Sequence, residues 1–275
     1  VIIGKAAGQL MTSGPHNVLI GKQAGAKITE GDKNVIVGSQ AGAELTGDGG
    51  DFNTLIGYAA GNALTAAQAN IFIGHESGDG HDTESNNLGI GRGALGGSIA
   101  GGEFNVAVGN YTLDSLTSAD ACTAVGYQSG SAITTGANNV LMGYNVGASI
   151  TTGYDNTFFG HQAGDGFDTE ANNLGIGRDA LGGAVAGGEY NVAIGNYALD
   201  ALTTGDRNTA VGYQAGSGLT TAVDCAFFGR FAGVSVTEGT HNTFLGGDAG
   251  SSVTTGDRNT MVGVAGWQFD TENDN

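Results

Sequence analysis

The sequence predicts an all-β fold, a β-solenoid or parallel β-roll of sixteen coils of about 17 residues each. Three observations carry that expectation. One motif returns every 17 residues along the chain, glycine supplies 53 of 275 residues against a single proline, and apolar residues recur at fixed places in each repeat. A period this short marks stacked units, each too small to bury its own apolar face alone. Collagen is excluded because the glycines have no triplet period. A hydrophobic fraction of 40% is too high for a disordered glycine-rich linker.

Each coil can be numbered from an asparagine. That residue falls at Asn17, Asn34, Asn53, Asn70, Asn87, Asn105, Asn139, Asn156, Asn173, Asn191, Asn208, Asn242 and Asn259, with Cys122 and Cys225 in the same column. The spacing is 17 except after Asn34, where it is 19, and after Asn87 and Asn173, where it is 18. Position 5 is glycine throughout, from Gly4 and Gly21 to Gly263, and supplies a sharp corner. Position 8 is mostly alanine, and position 12 is mostly branched, as in Leu45, Ile133, Leu202 and Val253. Seventeen residues hold two or three short strands and leave no room for a helix. The expected domain is therefore a single repetitive one over residues 1–275. Sixteen coils at ~4.8 Å each would make a rod roughly 75–80 Å long. The first residues, Val1-Ile2-Ile3-Gly4, already lie inside a repeat, which suggests a processed product or a piece of a longer chain.

Position 4 is a large apolar residue in every coil, including Ile20, Val37, Ile56, Val125, Phe159, Phe228 and Leu245, so it is expected to fill the coil. Neighbouring side chains on a strand point to opposite faces. Position 3 should then point outward, yet it too is apolar: Leu19, Ile36, Leu55, Phe72, Leu141, Phe158, Phe227 and Phe244. An apolar stripe of that length asks to be covered. These eight residues are thus the expected interface of a self-associating fibre; a roomier coil with position 3 inside is the competing arrangement.

Asn208-Thr209-Ala210-Val211-Gly212-Tyr213-Gln214-Ala215-Gly216, followed by Leu219-Thr220-Thr221, resembles the head repeats of trimeric autotransporter adhesins of the YadA-like type. It resembles still more the related repeats of phage tail-fibre proteins and bacterial surface proteins. The resemblance runs from Val1 to about Gly266. It implies a homotrimeric fibre of left-handed parallel β-rolls, extracellular, on a virion or a bacterial surface, and used for attachment to a host receptor or glycan. The present repeat is longer than the adhesin-head repeat, with the extra residues after position 9.

Charge narrows the partners. Nine Lys and Arg against 27 Asp and Glu give a formal charge of −18, which speaks against nucleic acid. No apolar run approaches the ~20 residues of a bilayer span, so membrane insertion is not expected. At the glycine corner, position 6 offers Tyr58, Tyr127, Tyr144, Tyr213, Arg92 and Arg178 as surface ligand candidates, against the alternative of an ordinary solvated face. No cofactor is expected beyond a possible Ca²⁺, for which two acidic loops supply hard oxygens: Asp79, Asp82 and Glu84, and Asp165, Asp168 and Glu170. His81 in the first loop becomes Phe167 in the second, which speaks against a shared transition-metal site. The two loops belong to five-coil blocks repeating after 86 residues, as Asn86–Arg92 and Asn172–Arg178 also show.

The Asn column is expected to be a structural ladder, with Cys122 and Cys225 as buried free thiols ~29 Å apart, too far to bridge. Position 13 is a threonine column (Thr29, Thr46, Thr65, Thr117, Thr134, Thr151, Thr203, Thr220, Thr237 and Thr254), interrupted by Asp82, Ile99, Asp168 and Val185; position 14 is irregular, with Gly47 and Ala66 among its residues. β-propensity and turn bonding explain such a column. A different function class, a monomeric ice-binding solenoid, would use it as its binding face. No nucleophile elbow, phosphate loop or zinc motif occurs, so an enzyme is not expected. A polysaccharide-acting tail-spike enzyme with acidic residues on a β-helix is the third class.

Overall fold

The computed structural model describes residues 1–46, 50–98, 101–183 and 186–265. Gly47, Ile99 and Val185 of the threonine columns, and the chain from Gly266 onward, lie outside the described residues. The chain forms two compact units, Val1–Asn138 and Asn139–Asn275. The first contains β1 (Ile2–Ile3), β2 (Val18–Ile20), β3 (Val35–Val37), β4 (Thr54–Ile56), β5 (Ile71–Ile73), β6 (Leu88–Ile90), β7 (Val106–Val108) and β8 (Thr123–Val125). The second contains β9 (Val140–Met142), β10 (Thr157–Phe159), β11 (Leu174–Ile176), β12 (Val192–Ile194), β13 (Thr209–Val211), β14 (Ala226–Phe228), β15 (Thr243–Leu245) and β16 (Thr260–Val262). No helix occurs among the described residues, and each coil holds one strand where two or three were expected, because the rest of the coil is a succession of turns with left-handed residues at positions 7 and 17.

Within each unit the strands run parallel in chain order. Their register aligns like positions, so Leu19 lies beside Ile36 and Phe227 beside Phe244. The pairing continues around the corners. The Gln23 and Gln40 amides donate to the Lys5 and Lys22 carbonyls at 2.9 and 2.8 Å. On the opposite side of the coil the Thr46 amide donates to the Thr65 carbonyl at 2.8 Å. Residues at positions 7 and 17 adopt left-handed backbone even when they are not glycine, as at Gln23 (φ 60) and Lys33 (φ 57). Isolated residues there carry strain; here the conformation aims each amide at the preceding coil, so a stack of hydrogen bonds offsets it.

Between stacked coils the corner glycine at position 5 has no room for a side chain. Gly57 has φ +139, and a Cβ on it would lie 2.2 Å from the Gly74 carbonyl oxygen of the next coil. Because the chain turns immediately after position 4, each strand has only three residues, and its middle one alone points inward.

That geometry reverses the expected facing. Position 3 is buried in every coil from β2 to β16, and positions 2 and 4 are half-buried or exposed in all of them. The expected interface residues Leu19, Ile36, Leu55, Phe72, Leu141, Phe158, Phe227 and Phe244 are therefore core, none more than 1% exposed. The competing arrangement, with position 3 inside the coil, is the one observed. Volume compensation explains how so narrow an interior accepts phenylalanine. A Cβ on Gly78 would meet the Phe72 ring at 2.4 Å, and one on Gly89 in the next coil would meet the same ring at 3.0 Å. Glycine at position 9 thus makes room for a large position 3. Where position 3 shrinks to Gly89 or Ala107, position 9 becomes the buried Leu95 or Leu113.

Replacing Gly57 with alanine forces both a strained φ and a backbone collision. The expected cost is at least about 3 kcal/mol, read as a fall in the thermal midpoint of the full chain. An unchanged midpoint would show that the corner can relax.

Candidate functional site

The faces left for function are set by what closes the coil. Asn156 shows the two jobs of a column asparagine within the stack. Asn156 Nδ2 donates to the Glu170 carbonyl at 2.8 Å, sealing its own coil, and Asn156 Oδ1 accepts the Asn173 amide at 3.0 Å, joining the next. The column is thus a structural ladder, built from side-chain to backbone bonds more than from amide to amide. Cys122 and Cys225 keep the donor half, with Sγ to the Gly136 and Gly239 carbonyls at 3.2 and 3.3 Å. Both are buried free thiols, and burial pushes the Cys225 thiol up to about 11. They are not placed for nucleophilic chemistry.

Threonine at position 13 also serves the stack. The hydroxyls of Thr117, Thr203 and Thr220 donate to the Thr134, Thr220 and Thr237 carbonyls of the following coils at 3.0 Å each. Hydroxyls committed to carbonyls are poor organisers of an outer water layer.

The acidic loops do not gather their carboxylates. Glu84 and Glu170 are buried at position 15, and backbone amides use their oxygens. Glu170 Oε2 accepts the Asp168 and Thr169 amides at 2.8 and 3.1 Å, and Oε1 accepts the Gly187 amide of the next coil at 2.9 Å. Glu84 does the same with Asp82, Thr83 and Gly101. This carboxylate shapes the turn where the following coil carries its extra residue. Asp82 and Asp168 accept the hydroxyls of Thr65 and Thr151. Asp79 turns elsewhere, into a shallow notch of ≈ 230 Å³ that it shares with Glu76, Gly93, Gly96, Tyr111 and Asp114. Asp165 accepts Gln162 Nε2 at 3.2 Å. No group of three or more His, Cys, Asp or Glu side chains is placed to hold a metal ion among the described residues.

Burial raises the carboxyl pKa of Asp79 and Asp165, helped by the charges of Glu76 and Asp179 respectively; burial also raises that of Asp114. A carboxyl raised on folding binds its proton earlier in the folded chain. These groups therefore favour the folded state increasingly as pH falls from neutral through their raised values toward the ordinary 3.8.

The corner column places the surface candidates as the sequence suggests. Tyr58, Tyr127, Tyr144 and Tyr213 are 41% to 48% exposed. They belong to aromatic pairs: Tyr58 stacks on His75 at 5.1 Å and Tyr144 on His161 at 5.2 Å, whereas Tyr111 with Tyr127 at 6.2 Å and Tyr213 with Phe231 at 5.4 Å meet edge to face. Arg92 and Arg178 follow the two Tyr–His pairs with exposed side chains, their own amides held by Asn110 and Asn196 Oδ1 at 2.9 Å. The column offers π-faces, guanidinium groups and hydroxyls in repeating order.

The outer face of the strands carries an uncovered apolar column. Ile56, Ile71 and Ile90 in the first unit, and Met142, Ile176, Phe228 and Leu245 in the second, are each 36% exposed or more. Sequence reasoning had assigned this face to the interior. It also missed His81, which sits at position 12 beside Phe72 and inside the coil, where other coils carry Ile28, Leu45 or Leu64. The column alignment itself was the signal for His81. No family model, curated protein or solved structure matches this chain.

Replacing Asn156 with alanine leaves a buried carbonyl and a buried amide without partners. The expected loss is about 2–4 kcal/mol in denaturant unfolding. A loss under about 0.5 kcal/mol would remove the ladder from the account of stability.

Proposed function

We propose that this chain is a segment of an attachment fibre, assembled as a homotrimer whose outer strand faces cover one another, and displayed outside the cell on a virion or bacterial surface. The observation that carries the reading is the unbroken apolar character of position 4, which lies outside the coil in every repeat from β2 to β16. A parallel sheet with apolar residues on its outer face is covered in soluble proteins. A repeated, self-complementary strip finds its natural cover in copies of itself, because a cyclic arrangement brings the same strip from each chain to a common axis. The charge of −18 keeps the remaining surface soluble and discourages indefinite association.

In this reading the corner column of Tyr58, Tyr127, Tyr144, Tyr213, Arg92 and Arg178 lies outside the assembly and meets the receptor or glycan. Aromatic faces and guanidinium groups are the side chains over-represented where proteins meet partners. Ice binding receives less support, since the threonine hydroxyls of position 13 are committed to the next coil.

Light scattering on the purified chain is expected to give three times the 27.3 kDa chain mass. Ile56→Asp with Ile73→Asp is expected to yield a folded monomer, whereas Leu55→Asp in the core unfolds the coil. A wild-type monomer would overturn the fibre reading. On a glycan array, Tyr144→Ala with Tyr213→Ala is expected to lower binding at least ~10-fold if each exposed ring contributes ~1 kcal/mol. Binding that is retained in full would move the ligand site off this column.

A further inference from the structure

One buried titratable group serves neither the coil's hydrogen bonding nor its surfaces. His81 is 0% exposed, and neither of its ring nitrogens makes a hydrogen bond of good geometry; the Leu95 backbone is the polar group beside the ring, and it offsets little of the cost of burial. Its ring lies 4.9 Å from Phe72, in the place where the second block sets Phe167 5.2 Å from Phe158. The site is thus shaped for an aromatic ring and is apolar, and a histidine occupies it in only one of the two blocks. A buried imidazole so placed is held neutral, because protonation there would leave an unsolvated charge.

Among the described residues no charged side chain is placed to compensate that charge. The coil before, residues 53–69, contains no Asp, Glu, Lys, Arg or His. In the coil after, residues 87–104, Arg92 is exposed and Glu103 half-buried. Within the coil itself, His75, Glu76 and Asp82 are exposed, and Asp79 lines the outer notch. Glu84 is the one buried carboxylate, and the amides of Asp82, Thr83 and Gly101 hold its oxygens at 2.9 to 3.2 Å.

We propose that His81 is an acid-sensitive point built into the solenoid, at which the coil of residues 70–86 opens when the imidazole takes up a proton. Burial lowers the folded-state pKa of His81 from 6.5 to about 3. The sign follows from that direction: the contribution to stability is complete above 6.5 and is lost as pH falls toward about 3. The raised carboxyls of Asp79 and Asp114 act in the opposite sense at lower pH, so they cannot imitate the effect.

An imidazole that is protonated only when exposed raises the opening equilibrium about 25-fold between pH 7 and pH 5. Native-state hydrogen exchange of the full chain, corrected for the pH dependence of intrinsic exchange, reads this coil by coil. The expected result is a gain of that size in residues 70–86 and none in the matching residues 156–172. His81→Phe, which copies the second block, should abolish the gain, and Phe167→His should create one in residues 156–172. A wild-type coil with no gain, or a gain that survives His81→Phe, would overturn the proposal; either result would mean that Glu84 or another group takes up the charge. Should Phe167→His fail to fold, wild type and His81→Phe still decide the matter. The outcome is independent of the chain's oligomeric state.

Discussion

Between Gly57 and Gly74 the backbones of consecutive coils come so close that a methyl group on the first would sit 2.2 Å from the carbonyl oxygen of the second. The same contact recurs along the glycine column, as at Gly21 and Gly38 or Gly212 and Gly229. It lets the chain turn directly after position 4, which limits each strand to three residues and sends one side chain inward. The interior is consequently narrow, and volume is its governing variable. Outside the corner, left-handed residues at positions 7 and 17 keep the amide stack continuous, and the asparagine ladder closes the last gap in each coil.

From that narrowness comes the apolar outer face. A coil that can accept only one strand side chain must leave its neighbours at positions 2 and 4 outside. Positions 2 and 4 are nonetheless rich in isoleucine, valine and phenylalanine. Burying such side chains is worth ~1.5–3 kcal/mol each, and that unrealised burial is what motivates the proposed self-association. The polar surfaces lie on the other sides of the coil, where Glu84 and Glu170 are drawn in to satisfy loop amides and the tyrosines remain in solvent.

Much of this was legible in the sequence. The period gives the number of coils and their parallel register, though not the single strand per coil, and the asparagine and glycine columns stack as expected. The facing of positions 3 and 4 is the reverse of what their constancy suggests, since a uniformly apolar column points to a core. The opposite holds in a space this small. Position 3 varies because neighbours compensate: Phe72, Phe158, Phe227 and Phe244 accompany glycine at position 9, whereas Gly89, Ala107, Gly175 and Ala193 accompany leucine there. Position 4 stays uniformly large because nothing within its own coil limits it. The acidic loops misled for a related reason. Glu84 and Glu170 looked like solvated ligands, yet they stand in the column that other coils fill with glycine or alanine and are turned toward backbone amides.

The proposed fibre joins one observation, position 3 inside each chain, to one proposal, position 4 against another copy. Oxidative cross-linking of two single variants, Ile73→Cys and Phe72→Cys, tests this most directly, since the native thiols Cys122 and Cys225 are buried. The account predicts covalently linked chains from Ile73→Cys and none from Phe72→Cys. Linked chains from Phe72→Cys, or an Ile73→Cys protein that stays single under oxidation, would contradict it.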